Sequence, residues 1–125
     1  MGTQQTKLLL SEQQKELINK ITVKADVVTY GELVWRALLY AKREMITIDY
    51  LINYISFITD KQHDNVVYLQ NRFTLHSDLK ALSQSYKEIG YNIRIKGVVL
   101  LYVLYYADKA LNVDISQYRV KSHHD

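Results

Sequence analysis

The spacing of apolar residues predicts three helices in the first half of the chain. Ser11 begins the first helix, because Gln14, three residues later, completes a capping box with it. Thr29 begins the second, since Glu32 follows at the same spacing and apolar residues then recur at helical intervals. Thr47 is expected to cap the third helix, which carries a stripe of isoleucine and leucine.

Two segments of this half are predicted not to be helical. Residues 1–10 are expected to form a polar, flexible tail. In residues 21–27, apolar and polar side chains alternate, which is the pattern of a half-buried β-strand. The expected order is therefore tail, helix, strand and two further helices.

The apolar pattern changes phase in the second half. Residues 65–71 and 75–89 carry two apolar stripes that do not continue each other, so we predict two helices joined by a tight turn at 72–74. Thr74 is expected to cap the second of these helices, and Gly90 to end it.

A β-hairpin is predicted directly after that helix. β-Forming runs lie on both sides of Lys96 and Gly97, and a two-residue connection containing glycine is typical of a hairpin, here over 91–102. A last helix is expected from 103 to 111. An irregular segment and a tail at 122–125 follow it.

Two pairs of similar segments suggest an internal repeat. Residues 21–28 resemble 93–99, and 38–45 resemble 104–111 in the same order. The chain would then consist of two related units, 11–60 and 61–121, that share a central antiparallel sheet as an internal dimer. Chance similarity between apolar strings is the alternative interpretation.

Composition excludes several classes of function. The chain has no cysteine and no proline and only four glycines, so it offers no thiolate chemistry, disulfide scaffold or glycine-rich phosphate loop. The longest uncharged apolar run, 98–107, is too short to span a bilayer, and no signal peptide is predicted, so we expect a soluble cytoplasmic protein. His63 lies in a predicted loop without partners, and we expect no metal site, no cofactor and no catalysis.

The net charge of +3 is unevenly distributed along the chain. Residues 1–60 contain seven basic and seven acidic residues, whereas residues 61–125 contain nine basic and six acidic residues. The whole excess therefore lies in the second half, which allows a polyanionic partner without requiring one.

Residues 72–95 resemble the winged helix-turn-helix of the deoxyribose-operon-repressor type. The positions that carry the resemblance are Arg72, Thr74, Leu75, Asp78, Leu79, Lys80, Ala81, Leu82, Gly90 and Tyr91. The resemblance implies that 75–89 is a DNA recognition helix and that 91–102 is the wing. The predicted fold class is therefore α+β, mainly helical, with a winged helix-turn-helix.

The polar face of the predicted helix 75–89 fits such a role. It is basic, carries no acid and is rich in side chains that bond base edges and phosphates in a major groove. The candidate DNA contacts are Arg72, Thr74, His76, Ser77, Lys80, Ser83, Gln84, Lys87, Arg94 and Lys96. A solvated helix face without a ligand is the competing interpretation.

The sequence is compatible with two candidate functions from different classes. The first is a non-enzymatic, sequence-specific double-stranded DNA-binding protein with an accessory or regulatory role. Its internal-dimer plan is similar to that of excisionases and of accessory DNA-binding proteins of Gram-positive conjugative plasmids, and it would be a pseudo-symmetric monomer or a homodimer. The alternative is a small helical protein–protein interaction factor, such as a phage or plasmid inhibitor or adaptor. Neither implies a membrane or a small-molecule ligand.

Overall fold

Residues 5–57, 65–70 and 74–118 are described by the computed structural model of the chain. The predicted class, α+β and mainly helical, is confirmed, and the sheet has two antiparallel strands. In chain order the elements are β1 (Gln5–Leu10), α1 (Glu12–Ala25), α2 (Tyr30–Arg43), α3 (Ile48–Leu51), a 3₁₀ helix (Ile52–Phe57), β2 (Asn65–Gln70), α4 (Leu75–Glu88), α5 (Ile95–Lys109) and a 3₁₀ helix (Ser116–Tyr118).

The predicted helix starts are confirmed by their caps. Ser11 and Gln14 form both bonds of the capping box, and the Thr29 hydroxyl oxygen accepts a hydrogen bond from the Glu32 amide at 3.1 Å. Thr47 likewise accepts from the amide of Tyr50. The third helix is shorter than predicted, because its α-helical part ends at Leu51 and continues as a 3₁₀ helix.

The sheet replaces two predicted elements. Residues 5–10, predicted within a flexible tail, form β1, and residues 65–70, predicted as a helix, form β2. The two strands pair from Gln5 opposite Gln70 to Leu10 opposite Asn65. One face is buried, and each strand alternates as a half-buried strand should; the buried residues are Thr6, Leu8, Leu10, Val67 and Leu69.

The strand predicted at 21–27 is wrong, because α1 continues through it. Ile18, Ile21 and Ala25 are buried at helical spacing, whereas Val23 is 80% exposed. The apolar alternation arose because Val23, which is exposed, lies between the buried residues Ile21 and Ala25. Asp26 ends the helix in the left-handed conformation, with φ of 57°.

The hairpin predicted at 91–102 is also wrong, because α5 begins at Ile95. Gly97 lies inside this helix, and nearly every residue from there to Ala107 is buried. A helix that is apolar on all sides has no helical period in its sequence, so its residues resemble β-forming runs. Within the described residues, no helix combines the length and apolar character needed to cross a bilayer.

Helix α5 is the centre of the core. Helices α2 and α4 pack against it, and the 3₁₀ helix after α3 covers another side. Helix α2 also crosses β2 closely: a Cβ atom at Gly31 would lie 2.3 Å from the carbonyl oxygen of Gln70. Only glycine therefore allows this approach.

The succession strand, helix, helix occurs twice in the described residues. β1, α1 and α2 contain 6, 14 and 14 residues, and β2, α4 and α5 contain 6, 14 and 15. The inward positions correspond as well: residues 14, 18, 21 and 25 of α1 match residues 75, 79, 82 and 86 of α4 in spacing and inward orientation. We call residues 5–43 the first unit and 65–109 the second unit.

The predicted repeat coincides with these units only in part. Residues 38–45 and 104–111 both contain the end of a second helix and lie at matching places. Residues 21–28 close α1, however, whereas residues 93–99 open α5, so this pair does not match.

Candidate nucleic-acid interface

Helix α4 presents the polar face that the sequence predicted. Leu75, Leu79 and Tyr86 are buried against the core, with Leu82 half-buried beside them. Four polar residues on the opposite side are exposed and form the α4 stripe: Ser77, Lys80, Gln84 and Lys87. The predicted phase of this helix is therefore correct.

The far end of α4 is fixed by Tyr86. Its ring is fully buried, and its hydroxyl donates a hydrogen bond to the carbonyl oxygen of Ile48 at 2.9 Å. Burial raises the pKa of Tyr86 well above its usual value of about 10, so the phenol remains a donor at neutral pH. The stripe thus lies on a helix held by both packing and a buried hydrogen bond.

Arg94 is brought to the α4 stripe by the chain that follows the helix. Gly90 adopts a positive φ of 95°, and the chain then turns back along α4. The Ser83 hydroxyl donates to the carbonyl oxygen of Ile93 at 2.6 Å, so Arg94, the next residue, starts beside the middle of α4. Arg94 is exposed and is the N-cap residue of α5.

Ser83 is the centre of a basic surface. Lys80 precedes it by three residues and Lys87 follows it by four, so both lysines lie on the same side of α4 as Ser83. Arg94 follows Ile93, the residue whose carbonyl oxygen accepts the Ser83 hydrogen bond. Ser83 itself is half-buried, and its hydroxyl is bonded to the backbone of the segment after α4.

His76, another predicted DNA contact, is engaged with the sheet. Its Nδ1 atom lies 2.7 Å from the hydroxyl oxygen of Thr6, a buried residue of β1. The imidazole is half-buried and joins the start of α4 to the sheet.

Three other predicted contacts lie at the margins of the stripe. Thr74 is exposed, and its hydroxyl donates to the carboxylate of Asp78 at 2.8 Å rather than to a backbone amide. Lys96 is half-buried in the first turn of α5, so it is not at the tip of a hairpin. Arg72 lies outside the described residues.

Two features of the surface were not foreseen. Glu88 is exposed one turn beyond Gln84 and places an acid at the end of the stripe. Ile89, predicted to be buried, is 43% exposed because α4 ends at Glu88. Helix phase alone could have located Glu88, since it lies four residues after Gln84.

A second exposed surface lies on the sheet, where the sequence analysis expected a tail and a helix. We define the ribbon face by Lys7, Leu9, Val66 and Tyr68, which point away from the core. Leu9 pairs with Val66 and Lys7 with Tyr68, whose side chain is 52% exposed. This face is more apolar than the α4 stripe.

Comparison of the chain with protein-family models, curated proteins and solved structures found no match in any of the three.

Proposed function

We propose that the protein is a non-enzymatic, sequence-specific double-stranded DNA-binding protein that contacts DNA through the α4 stripe and Arg94. The observation that supports this most is the hydrogen bond from Ser83 to Ile93, which holds the backbone next to Arg94 beside the middle of α4, the helix that carries Lys80 and Lys87. A cluster of long basic side chains on a rigid helix suits the phosphate backbone.

The residues between these cations would read sequence. Gln84 and Ser77 are exposed on the same helix face as the lysines, and amide and hydroxyl groups bond base edges in the major groove. An exposed helix of fourteen residues is long enough to lie in that groove. The proposal does not need a wing, since Arg94 flanks α4 from a loop.

The repeated strand, helix, helix order supports the two-unit, internal-dimer plan. In this plan the chain would act as an accessory or regulatory factor at a DNA site. With the α4 stripe as the reading head, one chain would present one reading head, and a palindromic site would require two chains.

The proposal is tested by measuring fluorescence anisotropy against duplex DNA at several salt concentrations, after selecting a preferred duplex from a random pool. Lys87→Ala and Arg94→Ala should weaken binding to all sequences and lower the salt slope by about one unit each. Gln84→Ala should reduce preference for the selected duplex by about 1–3 kcal/mol.

Lys24→Ala is the matched control, because Lys24 lies in the last turn of α1 as Lys87 lies in the last turn of α4. Its DNA affinity should equal that of the parent protein. If the Lys24 and Lys87 variants lose affinity equally, or if no duplex binds with a salt-dependent affinity, the α4 stripe is not a DNA surface.

The second candidate function is protein–protein interaction, which the ribbon face favours. Its apolar side chains are exposed on a sheet with two open edges within the described residues. Tyr68→Glu together with Leu9→Lys would abolish recovery of a specific protein partner, and would leave DNA affinity unchanged if only the α4 stripe binds DNA.

A further inference from the structure

A cleft at the end of α5 lies outside both surfaces described so far. It has a volume of about 300 Å³, near the lower limit of small-ligand sites. Its walls come from α3 and the following 3₁₀ helix, from the last turn of α5 and from the segment after it. The residues that line it are Tyr50, Asn53, Tyr54, Phe57, Asp108, Asp114, Ile115 and Ser116.

We propose that this cleft binds an alkylammonium group, meaning a primary or methylated amine on a short aliphatic stem. The proposal rests on the combination of aromatic rings and carboxylates around one concave space, and it is independent of DNA binding.

The aromatic wall is closely connected to the core. The ring centroids of Tyr54 and Phe57 are 6.4 Å apart, and those of Tyr54 and Tyr105 are 6.2 Å apart. Tyr50 adds an edge-to-face contact to Tyr105 at 5.9 Å and is partly exposed at the surface. Aromatic ring faces attract organic cations, and rings fixed in this way lose little freedom when a cation binds.

The carboxylates of Asp108 and Asp114 add negative charge to the lining of the cleft. The Tyr54 hydroxyl donates to Oδ2 of Asp108 at 2.7 Å. Burial, helped by this bond, raises the pKa of Tyr54 well above its usual value, so the phenol stays protonated and fixes the carboxylate. The ammonium group of Lys109 lies 3.8 Å from the same oxygen, but both side chains are substantially exposed, so water screens this pair.

Asp114 is held by Ser116, which also lines the cleft. Its Oδ1 atom accepts hydrogen bonds from the backbone amide and the hydroxyl of Ser116, at 3.0 and 2.7 Å. These bonds lower the pKa of Asp114, so it is an anion at neutral pH. Lys20 also acts on Asp114 electrostatically, as Lys109 does on Asp108, so a cationic ligand would compete with these two lysines for the carboxylates.

This lining suits an organic cation better than a metal ion. Within the described ranges, no three acidic or histidine side chains lie close enough to hold a metal. Two carboxylates with aromatic rings and the buried side chain of Ile115 instead match an ammonium head on an aliphatic stem.

The test is isothermal titration of the full chain with n-butylammonium, with n-butanol as a neutral ligand of similar size. Butylammonium should bind and butanol should not. Asp114→Asn and Asp108→Asn should each weaken binding of the amine by about tenfold, whereas Glu88→Gln, an exposed carboxylate on α4, should leave it unchanged.

The source of the amine is distinguished by two further ligands. Putrescine represents a free polyamine, and lysine with both backbone ends blocked represents a side chain of a protein; tighter binding of either identifies the source. Because Asp114 is exposed, its asparagine variant should melt like the parent protein. Equal binding of amine and alcohol, or unchanged amine affinity in the folded Asp114→Asn variant, would overturn the proposal.

Discussion

The first and second units have nearly equal element lengths, and their first helices, α1 and α4, have the same spacing of inward residues. Their second helices, α2 and α5, nevertheless have different surroundings. Helix α5 is buried on all sides, whereas α2 exposes Arg36, Leu39, Lys42 and Arg43. The difference arises from the segments that follow each helix. After α2, α3 and its 3₁₀ helix pack on α5; after α5, the chain returns to α1. The same succession of elements therefore yields a central and a peripheral helix.

The first helices of the units have the same spacing of inward residues but different outward residues. Where α4 carries Ser77, Lys80 and Gln84, the corresponding positions of α1 carry Glu16, Asn19 and Val23, all exposed. The inward residues of both helices are constrained by the core, but the outward residues are not. Equivalent scaffolds can thus present different surfaces.

The largest effect is expected from truncating matched positions in the second helices. Leu39 in α2 and Tyr105 in α5 occupy corresponding places, but Leu39 is 41% exposed and Tyr105 is 4% exposed. Tyr105→Ala should lower the free energy of unfolding by about 3–5 kcal/mol, and Leu39→Ala by less than about 1 kcal/mol. Chemical denaturation measures both. Equal losses would show that the two helices are equally buried.

A smaller effect is expected where α2 of the first unit crosses β2 of the second. Gly31→Ala should favour the helix by about 0.5–1 kcal/mol through propensity alone, but its methyl group would meet the carbonyl of Gln70. We expect the steric effect to dominate and to destabilise the protein by about 1–3 kcal/mol.

Gly90→Ala serves as the comparison in the same thermal melts. A Cβ there meets nothing within 4 Å, although the positive φ disfavours it by about 1–2 kcal/mol. Stabilisation by Gly31→Ala would mean that α2 and β2 can separate.

Alkaline pH should affect the buried helix through its tyrosines. Burial raises the pKa of Tyr102 to about 12, from about 10 in an unfolded chain. The folded state therefore holds this proton more tightly, and its contribution to stability is complete below pH 10 and is lost as pH rises from 10 to 12.

Tyr102→Phe removes this titration. Between pH 9 and pH 11 the variant should lose about 1 kcal/mol less free energy of unfolding than the parent protein. Urea titrations at the two pH values measure the difference. Parallel losses in both proteins would show that Tyr102 titrates as an exposed phenol.

The smallest effect is expected from reversing one negative charge on the outward face of each first helix. Glu88→Lys adds two charges at the end of the α4 stripe, and Glu16→Lys adds the same two charges on α1. The first variant should bind DNA about threefold to tenfold more tightly and increase the salt slope by about one unit, while the second should change little. Anisotropy titrations measure both. A similar gain in both variants would indicate an effect of net charge alone.

Local signals in the sequence predicted the helix starts and the orientation of α4. Ser11, Thr29 and Thr47 form their caps with residues three positions away, and Leu75 and Leu79 orient α4 through contacts that period 3.6 reveals. Lys80, Gln84 and Lys87 were therefore placed correctly on its outer face.

Structure that depends on distant residues was not predictable in this way. Residues 5–10 form a strand because of a partner about sixty residues away, and α5 is apolar on every side because other elements surround it. His76 turns inward to meet Thr6 of that distant strand. The hydrogen bond between Ser83 and Ile93, not the predicted hairpin, holds the backbone next to Arg94 beside α4.

The pairing of β1 with β2 has a consequence for how the chain acquires its structure during synthesis. β1 leaves the ribosome about sixty residues before its partner, and α2 leaves before the helix that buries it. The nascent first unit therefore lacks β2 and α5, the elements with which β1 and α2 make most of their contacts. Such long-range contacts make folding slower than local ones would. The core can therefore close only after α5 has been synthesised, and a chaperone that shields apolar segments would act on the first unit before then.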